Sequence, residues 1–316
     1  MNELPESPVI PLDLAVRIGC KLRYQTLHPA SMLLSVKPRH DAYQLVAQEA
    51  LDIVPVQAAS EFADDHGNSV LRLDLQPGLT TLIYDGITRV PSQSEDFCHV
   101  DHPIPPNRLQ PDLLRYTLPS RYCDSDSLRD FAWQHFGKYP QGLERIRAIC
   151  DWIHENIEYR TGSGSPEITA HDVIQRGYGV CRDFAHCGVA LCRTFNLPTR
   201  YVSGYVPDIA CFDPGTPMDF HAYLEVFMGG RWQVFDARFN TPRTGRIRIA
   251  TGYDAATCAF STCYGGASLV WFDVWSYQID PAKVRVGDPV DMAHRWCGTP
   301  EIRRPDEARL RMKKAA

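Results

Sequence analysis

The sequence predicts an α+β protein, in which a β-rich N-terminal domain is followed by a mixed domain of helices and an antiparallel sheet. Alternating or β-branched segments fill residues 12–90, prolines are frequent from 91 to 120, and helical patterns begin after residue 120. A chain of 316 residues can form two cores. We therefore expect a β-rich domain at 1–90, a linker at 91–120, a second domain at 121–280 and a C-terminal extension at 281–316.

The N-terminal domain is predicted from four segments with strand-like patterns, at residues 14–18, 32–36, 69–75 and 80–84. The polar group Asp64–Asn68, which contains Gly67, marks a turn between two of them. Short strands separated by turns are typical of antiparallel sheets in a sandwich or barrel. This domain is therefore expected to be all-β and sandwich-like.

The second domain is predicted from helical patterns followed by strands. Ser125 or Asp126 is suited to cap a helix that ends near Phe136. Apolar residues at 143, 146, 149, 150 and 153 give the next helix one apolar stripe. A short helix near 170–175, a longer one from Cys181 to about Asn196 and strands from 201 to about 272 complete the prediction.

Two segments are expected to pack little. The prolines between 91 and 120 favour an extended linker. The tail from 281 to 316 is polar, interrupted by prolines and basic at its end, so we expect it to wrap loosely or fray.

Composition excludes several classes of protein. A net charge of -5 gives no basic footprint, so nucleic acid is not an expected partner. The first residues lack the features of a signal peptide and no run of 18 apolar residues occurs, which predicts a cytoplasmic protein without a membrane span. Eleven scattered cysteines, without a Cys-x-x-Cys pair, argue against a disulfide framework and a zinc site. We expect neither a metal nor a cofactor.

Cys181 is the candidate nucleophile. Gly177 and Gly179 allow the chain to bend just before it, and we expect the helix that begins there to lower the pKa of the thiol. The stripe Phe184, Gly188, Leu191 and Phe195 would anchor this helix and leave Cys181 at an exposed tip. The Cys181 N–H could help to bind an oxyanion, with Gln175 as a weak candidate for a second donor.

A histidine and an aspartate can be related to each other by strand register. The Gly229-Gly230 turn of a predicted hairpin pairs residues whose numbers sum to 459, which places Asp236 opposite Tyr223. His221 is then a diagonal neighbour of Asp236 on the same face, at about 7–8 Å between Cα atoms. A one-residue bulge would separate them. With this register, Asp236 can fix the tautomer of His221 so that the other ring nitrogen faces Cys181.

These residues carry a family resemblance. The segments Tyr178–Ala185, Tyr201–Tyr205, Phe220–Val226 and Trp232–Asp236 resemble, in order, the core of the bacterial transglutaminase-like superfamily, which is related to papain. The resemblance covers about residues 148–254. Asp65–Asn68 resembles an Asp-x-Gly-Asn motif of the β-rich domain that often precedes this core. Departures occur at Ala237-Arg238, where Pro-Thr is common, and at Thr257-Cys258, and they concern the substrate side of the cleft.

The resemblance implies Cys181 as nucleophile, His221 as base and Asp236 as the residue that orients it. The implied reaction is acyl transfer from a peptide or protein amide through a thioester, with water or an amine as acceptor. Peptidase or amidase hydrolysis is the leading hypothesis, and transamidation or deamidation of glutamine is the alternative. A non-catalytic binding scaffold is the alternative from another class. The sequence does not predict the oligomeric state.

Overall fold

The computed structural model describes residues 10–93, 103–209, 211 and 217–293. It is an α+β structure with mostly antiparallel sheets, as predicted. Within the described residues, no helix is both long and apolar enough to cross a membrane.

The N-terminal region forms six strands in two sheets. They are β1 (Leu14–Thr26), β2 (Ala30–Leu34), β3 (Leu45–Val54), β4 (Ala59–Ala63), β5 (Ser69–Leu75) and β6 (Gly78–Val90). Side chains from both sheets, such as Ile18, Leu22, Met32 and Leu73, are buried in one core. The four predicted strands are present: β5 has the predicted bounds, β2 begins two residues earlier, and β1 and β6 are longer, whereas β3 and β4 were not predicted. Every residue of β4, and most of β3, is at least partly exposed, which removes the alternating apolar pattern on which strand prediction depends.

The following segment forms α1 (Pro111–Leu114), α2 (Arg129–Phe136), α3 (Leu143–Asn156), β7 (Glu158–Tyr159), α4 (Ala170–Arg176), β8 (Tyr178–Gly179) and α5 (Cys181–Thr194). The predicted stripe of α3 is confirmed, because Ile146, Ile149 and Ile153 are buried. The predicted cap of α2 is wrong: residues 125–128 form turns, and the helix begins after Leu128 without a side-chain cap.

The chain continues as β9 (Thr199–Tyr205), β10 (His221–Met228), β11 (Arg231–Phe235), β12 (Ile247–Gly252), β13 (Ser261–Tyr264) and β14 (Ala267–Gln278). Strands β9 to β12 form one antiparallel sheet in the order β11-β10-β9-β12. Helix α5 packs on this sheet, and a Cβ atom at Gly188 would lie only 3.0 Å from Leu224 of β10. The helix therefore approaches the sheet closely at a glycine.

The last two strands return to the N-terminal sheets. Strand β13 pairs with β2, and β14 pairs with β1 over most of its length. The sheet orders are therefore β14-β1-β6-β3 and β13-β2-β5-β4. The boundary expected at residue 280 was predicted from local patterns. Such patterns do not show that strands far apart in the sequence pair with each other. We propose that residues 261–278 belong to the N-terminal sandwich rather than to the second domain.

The expected linker packs over part of its length. Residues 94–102 lie outside the described part, but residues 103–120 contain α1 and two 3-10 turns, and Leu113 and Tyr116 are buried. The ring of Tyr116 meets Trp232 of β11 at 5.2 Å between centroids. Prolines at the starts of these short helices fit this packed arrangement, because a helix tolerates proline in its first turn. The expected tail lies outside the described residues from 294 to 316.

The Asp-x-Gly-Asn motif joins the two regions. The side chain of Asn68 is fully buried, and its amide nitrogen donates to the Thr251 carbonyl of β12 at 2.9 Å. The Thr251 N–H donates to the Asn68 side-chain oxygen at 2.8 Å. Asn68 therefore satisfies the edge of β12 as a neighbouring strand would, and the motif fixes the N-terminal sandwich against the sheet that carries the site.

Candidate active site

A tight bend places Cys181 at the start of α5. Gly177 has a φ of 73°, in the left-handed region that glycine adopts without strain. A Cβ atom on Gly179 would lie 2.7 Å from Cβ of Asp183. The Asp183 carboxylate accepts from the Val180 N–H at 3.0 Å and is fully buried. Both glycines are thus required by the bend, one for its backbone angle and the other for close approach.

Asp183 has more partners than a helix cap needs. It also forms ion pairs with Arg176 at 3.1 Å and Arg182 at 2.9 Å. The carboxylate favours the helix N-terminus, as the sequence indicated, and joins α4, the bend and α5. The position of Cys181 is therefore held by buried charge as well as by backbone geometry.

Helix α5 is buried on all sides, and not only along the predicted stripe. Residues 183–193 are all buried, including His186 and Arg193. The Arg193 guanidinium donates to the carbonyls of Thr199 and Tyr253, so this charged side chain has partners inside the protein. Cys181, the first residue of α5, is partly exposed, and its Sγ atom lies 3.9 Å from the carbonyl oxygen of Phe220.

The hairpin register is confirmed. Leu224 pairs with Phe235 and Met228 with Arg231, so all paired residues of β10 and β11 sum to 459. Gly229 and Gly230 both have positive φ, as expected for a type I′ turn of two residues. Tyr223 and Asp236 are one position beyond this ladder, with no bulge between β10 and β11.

The structure brings His221 and Asp236 together. Nε2 of His221 lies 2.7 Å from Oδ2 of Asp236, and both side chains are buried. The ring of His221 also meets Phe239 at 4.7 Å between centroids. Since Nε2 is engaged, Nδ1 is the nitrogen left for a reacting group. The Cys181 sulfur lies against the Phe220 carbonyl, immediately before His221 in the chain.

Asp236 has a further partner that the sequence reasoning missed. Nη2 of Arg246 lies 2.8 Å from Oδ2 of Asp236, the same oxygen that contacts His221. The other oxygen accepts from the N–H groups of Arg238 at 3.1 Å and Phe239 at 3.2 Å. Burial alone would raise the pKa of Asp236, but His221, Arg246 and these hydrogen bonds hold it well below its usual range. Asp236 is therefore ionised at neutral pH.

The thiol and the imidazole are neutral at rest. Burial raises the pKa of Cys181 to about 11, although Arg238 and the N–H groups of Ala222 and Arg182 oppose this rise. Burial also lowers the pKa of His221, against the attraction of Asp236. The expectation that the helix start lowers the pKa of Cys181 is therefore wrong, because desolvation of the sulfur exceeds the stabilisation by N–H groups and charge.

The family comparison covers the segment that carries these residues. The family model described as the transglutaminase-like superfamily matches residues 129–237. A solved structure of a candidate cysteine protease from Cytophaga hutchinsonii has a TM-score of 0.78 and 33% sequence identity, and the match covers 84% of this chain and 91% of that protein. The chain belongs to the transglutaminase-like superfamily.

Two mycobacterial relatives are described as uncharacterized proteins. An uncharacterized protein from Mycobacterium leprae is 22% identical to this transglutaminase-like chain over 258 residues, which is 75% of this chain and 87% of that protein. An uncharacterized protein from Mycobacterium tuberculosis is 32% identical over 82 residues, 26% of each. Membership of the superfamily and the similarity to a candidate cysteine protease support an enzyme.

The remaining candidates of this transglutaminase-like chain lie elsewhere. The Gln175 amide contacts His171 at 3.1 Å on an exposed part of α4, so the structure does not direct it to Cys181. His186 is stacked on Tyr122 and accepts from the Ala255 N–H, so its ring has structural partners inside the protein. Within the described residues, no cluster of His, Cys, Asp or Glu side chains could hold a metal ion.

Proposed function

We propose that this chain is a cysteine-dependent enzyme that breaks an amide bond through a thioester, with Cys181 as nucleophile, His221 as base and Asp236 as the residue that orients the base. One observation supports this most strongly. The buried His221–Asp236 contact of 2.7 Å engages Nε2 and leaves Nδ1 for a reacting group, and the Cys181 sulfur lies 3.9 Å from the carbonyl oxygen of Phe220, the residue before His221. A nucleophile, a base and an orienting carboxylate are the parts that acyl transfer needs.

The first half-reaction follows from the neutral resting state. The thiol proton moves from Cys181 to Nδ1 of His221 while Sγ forms a bond to the amide carbon. The oxygen of the tetrahedral intermediate carries the negative charge, which the first N–H groups of α5 can stabilise because they have no partner within the helix. The amine leaves with the proton from His221, and a thioester remains on Cys181.

The second half-reaction reverses the roles. His221 takes a proton from water, and the hydroxide adds to the thioester carbon. The carbon–sulfur bond then breaks while the sulfur takes that proton back from His221, which releases the carboxylic acid and restores the Cys181 thiol. Asp236, which stays ionised, stabilises the imidazolium in both halves. We favour hydrolysis over transfer to an amine because water needs no binding site of its own.

Mass spectrometry with glutamine-containing peptides tests this proposal. The wild-type protein is incubated with the peptides in the presence and absence of a primary amine, and Cys181→Ala is the control. Cleavage or deamidation that the control lacks supports hydrolysis. Amine incorporation that exceeds hydrolysis would support transamidation, and the absence of any product with a broad peptide library would support a binding scaffold.

The substrate and compartment are part of the same proposal. We propose a peptide or protein amide as substrate, in the reducing cytoplasm where a thiol enzyme with many free cysteines stays active. Fractionation of cells, followed by detection of the protein, tests the compartment independently of the activity.

A further inference from the structure

Arg238 lies at the rim of the candidate site, two residues after Asp236. Its guanidinium carbon is 3.6 Å from the centre of the Tyr159 ring and 4.8 Å from that of Phe239. Phe239 in turn packs against His221 at 4.7 Å. Tyr159 packs on Phe184, in the first turn after Cys181, at 6.2 Å between ring centroids. Two aromatic rings, one packed on the helix that begins with Cys181 and the other packed on His221, thus hold this cation.

Among residues 10–93, 103–209, 211 and 217–293, no ion pair of 4.0 Å or less joins Arg238 to Asp or Glu. The other arginines around the site differ in this respect: Arg176 and Arg182 pair with Asp183, and Arg246 pairs with Asp236. Arg238 is half-buried, so its guanidinium has already lost part of its hydration in the folded protein. The cation remains able to bind an anion.

The field of this cation extends to the reacting groups. Its positive charge opposes the burial-induced rise in the pKa of Cys181, and it also acts on Asp219 and His221. Desolvation raises the pKa of Asp219, whereas its hydrogen bond with the Phe220 N–H and the charge of Arg238 lower it. The Asp219 carboxylate accepts from the Phe220 N–H at 2.7 Å, which gives it a partner other than Arg238.

We propose that Arg238 determines specificity by binding a carboxylate of the substrate next to the scissile amide. The inference rests on the proposed function, because it names the substrate class for that same nucleophile. A peptide can present this carboxylate in two ways, as an acidic side chain beside the scissile bond or as a free C-terminus. A guanidinium recognises either one by paired N–H donors.

Alkylation of Cys181 by two reagents of similar size tests the inference without a known substrate. Iodoacetate carries a carboxylate and iodoacetamide is its neutral counterpart, so the ratio of their rates cancels any change in the reactivity of the thiol. Rates are measured on the peptide that contains Cys181 by mass spectrometry. In Arg238→Gln, we expect the iodoacetate-to-iodoacetamide ratio to fall about fivefold, the effect of one charge at about 4 Å in a solvated site. Arg238→Lys should keep most of the ratio.

Arg72→Gln is the matched control. Arg72 also stacks on an aromatic ring, at 5.2 Å from Phe62, but lies on the exposed face of β5. This variant should leave the ratio unchanged. High salt should lower the wild-type ratio toward that of Arg238→Gln, because ions screen a partly exposed charge.

The outcomes separate this inference from the proposed function. If Cys181 in the wild type reacts with iodoacetamide no faster than the half-buried Cys263, the nucleophile itself is not activated and the proposed function fails. If Cys181 is reactive but the ratio is the same in Arg238→Gln, the role of Arg238 is wrong and the proposed function stands. Once a cleaved peptide is known, Glu-to-Gln and acid-to-amide versions of it show which carboxylate Arg238 binds.

Discussion

Arg246 lies 2.8 Å from the Asp236 oxygen that contacts His221, so one buried carboxylate oxygen is shared between a permanent cation and a titratable ring. The Arg246 guanidinium also lies over the ring of Tyr223, with 4.6 Å between its carbon and the ring centre. Arg246 therefore limits how strongly Asp236 can stabilise a protonated His221. We regard it as a positioning residue, because it acts through Asp236.

Replacing Arg246 should shift the pH profile of the reaction. Burial is the main cause that lowers the pKa of His221, and Arg246 lowers it further. In Arg246→Gln the pKa of His221 rises, the neutral base is less populated at pH 6, and the acid limb of kcat/KM moves to higher pH. The measurement is kcat/KM from pH 5 to 8.

Arg17→Gln is the control for this shift. Arg17 is also buried and pairs with Asp85 at 2.8 Å, between β1 and β6 of the N-terminal sandwich. It should lose stability, by about 3–5 kcal/mol if the remaining carboxylate stays buried, without a shift of the acid limb. Equal profiles in the two variants would show that Arg246 contributes only to stability.

Alkylation of Cys181 should depend on His221 at neutral pH. The pKa of the thiol is raised to about 11 by burial, so unaided thiolate is scarce at pH 7 and increases about tenfold per pH unit. In the wild type, His221 can accept the proton as the sulfur reacts. In His221→Asn, the rate with iodoacetamide should be at least about tenfold lower at pH 7 and should approach that of the wild type near pH 11.

The rate is measured for the Cys181 peptide from pH 6 to 11, with Cys263 in the same protein as an internal reference. Cys263 is half-buried on β13, and burial raises its pKa too. Its reactivity should be the same in wild type and His221→Asn. A His221→Asn profile that matches that of the wild type at every pH would exclude His221 as the base.

The relation of His221 to Asp236 could be predicted because its determinants are local. A two-residue turn at Gly229 and Gly230, each with positive φ, fixes the register of β10 against β11. The bend before Cys181 is likewise determined by nearby glycines. In both cases, a few adjacent residues restrict the backbone enough to place a side chain.

The environment of these residues depends on distant contacts, which a single sequence does not reveal. Arg246 reaches Asp236 from the start of β12, two strands away from β10 in the sheet order. Arg193 of α5 is charged, yet it is buried, and the backbone carbonyls of Thr199 and Tyr253 satisfy it inside the core. The desolvation of Cys181 also depends on distant contacts, because it is set by how many elements pack around the start of α5.

Gly179→Ala should disturb the bend and lower activity. The added Cβ would meet Asp183 at 2.7 Å, a contact that requires the bend or α5 to move. A shift of about 1 Å at the nucleophile can reduce kcat about 100-fold. The loss is measured as kcat and as the rate of alkylation of Cys181. Gly266→Ala is the control, because nothing lies within 4 Å of its Cβ position; an equal loss there would contradict the steric explanation.

A buried ion cluster should set the acid stability of the chain. Arg200 and Arg248 each lie 2.6 Å from a different oxygen of Glu225, which is fully buried. Burial alone would raise the pKa of Glu225, but the two arginines lower it from 4.5 to about 2. Its contribution to stability is therefore complete above about pH 4.5 and is lost as the pH falls through about 2. By linkage, this amounts to about 3 kcal/mol.

Urea unfolding at pH 7, 4, 3 and 2 tests this prediction. The wild type should lose stability steeply below pH 4.5, whereas Glu225→Gln should start lower at pH 7 and show a shallower loss, because both arginines have already lost this carboxylate partner. Glu158→Gln, which removes an exposed ion pair with Arg160, should behave as the wild type does. If Glu225→Gln kept the full acid-dependent loss, other carboxylates would have to account for it, and the cluster would not be the main acid-sensitive contact between β9, β10 and β12.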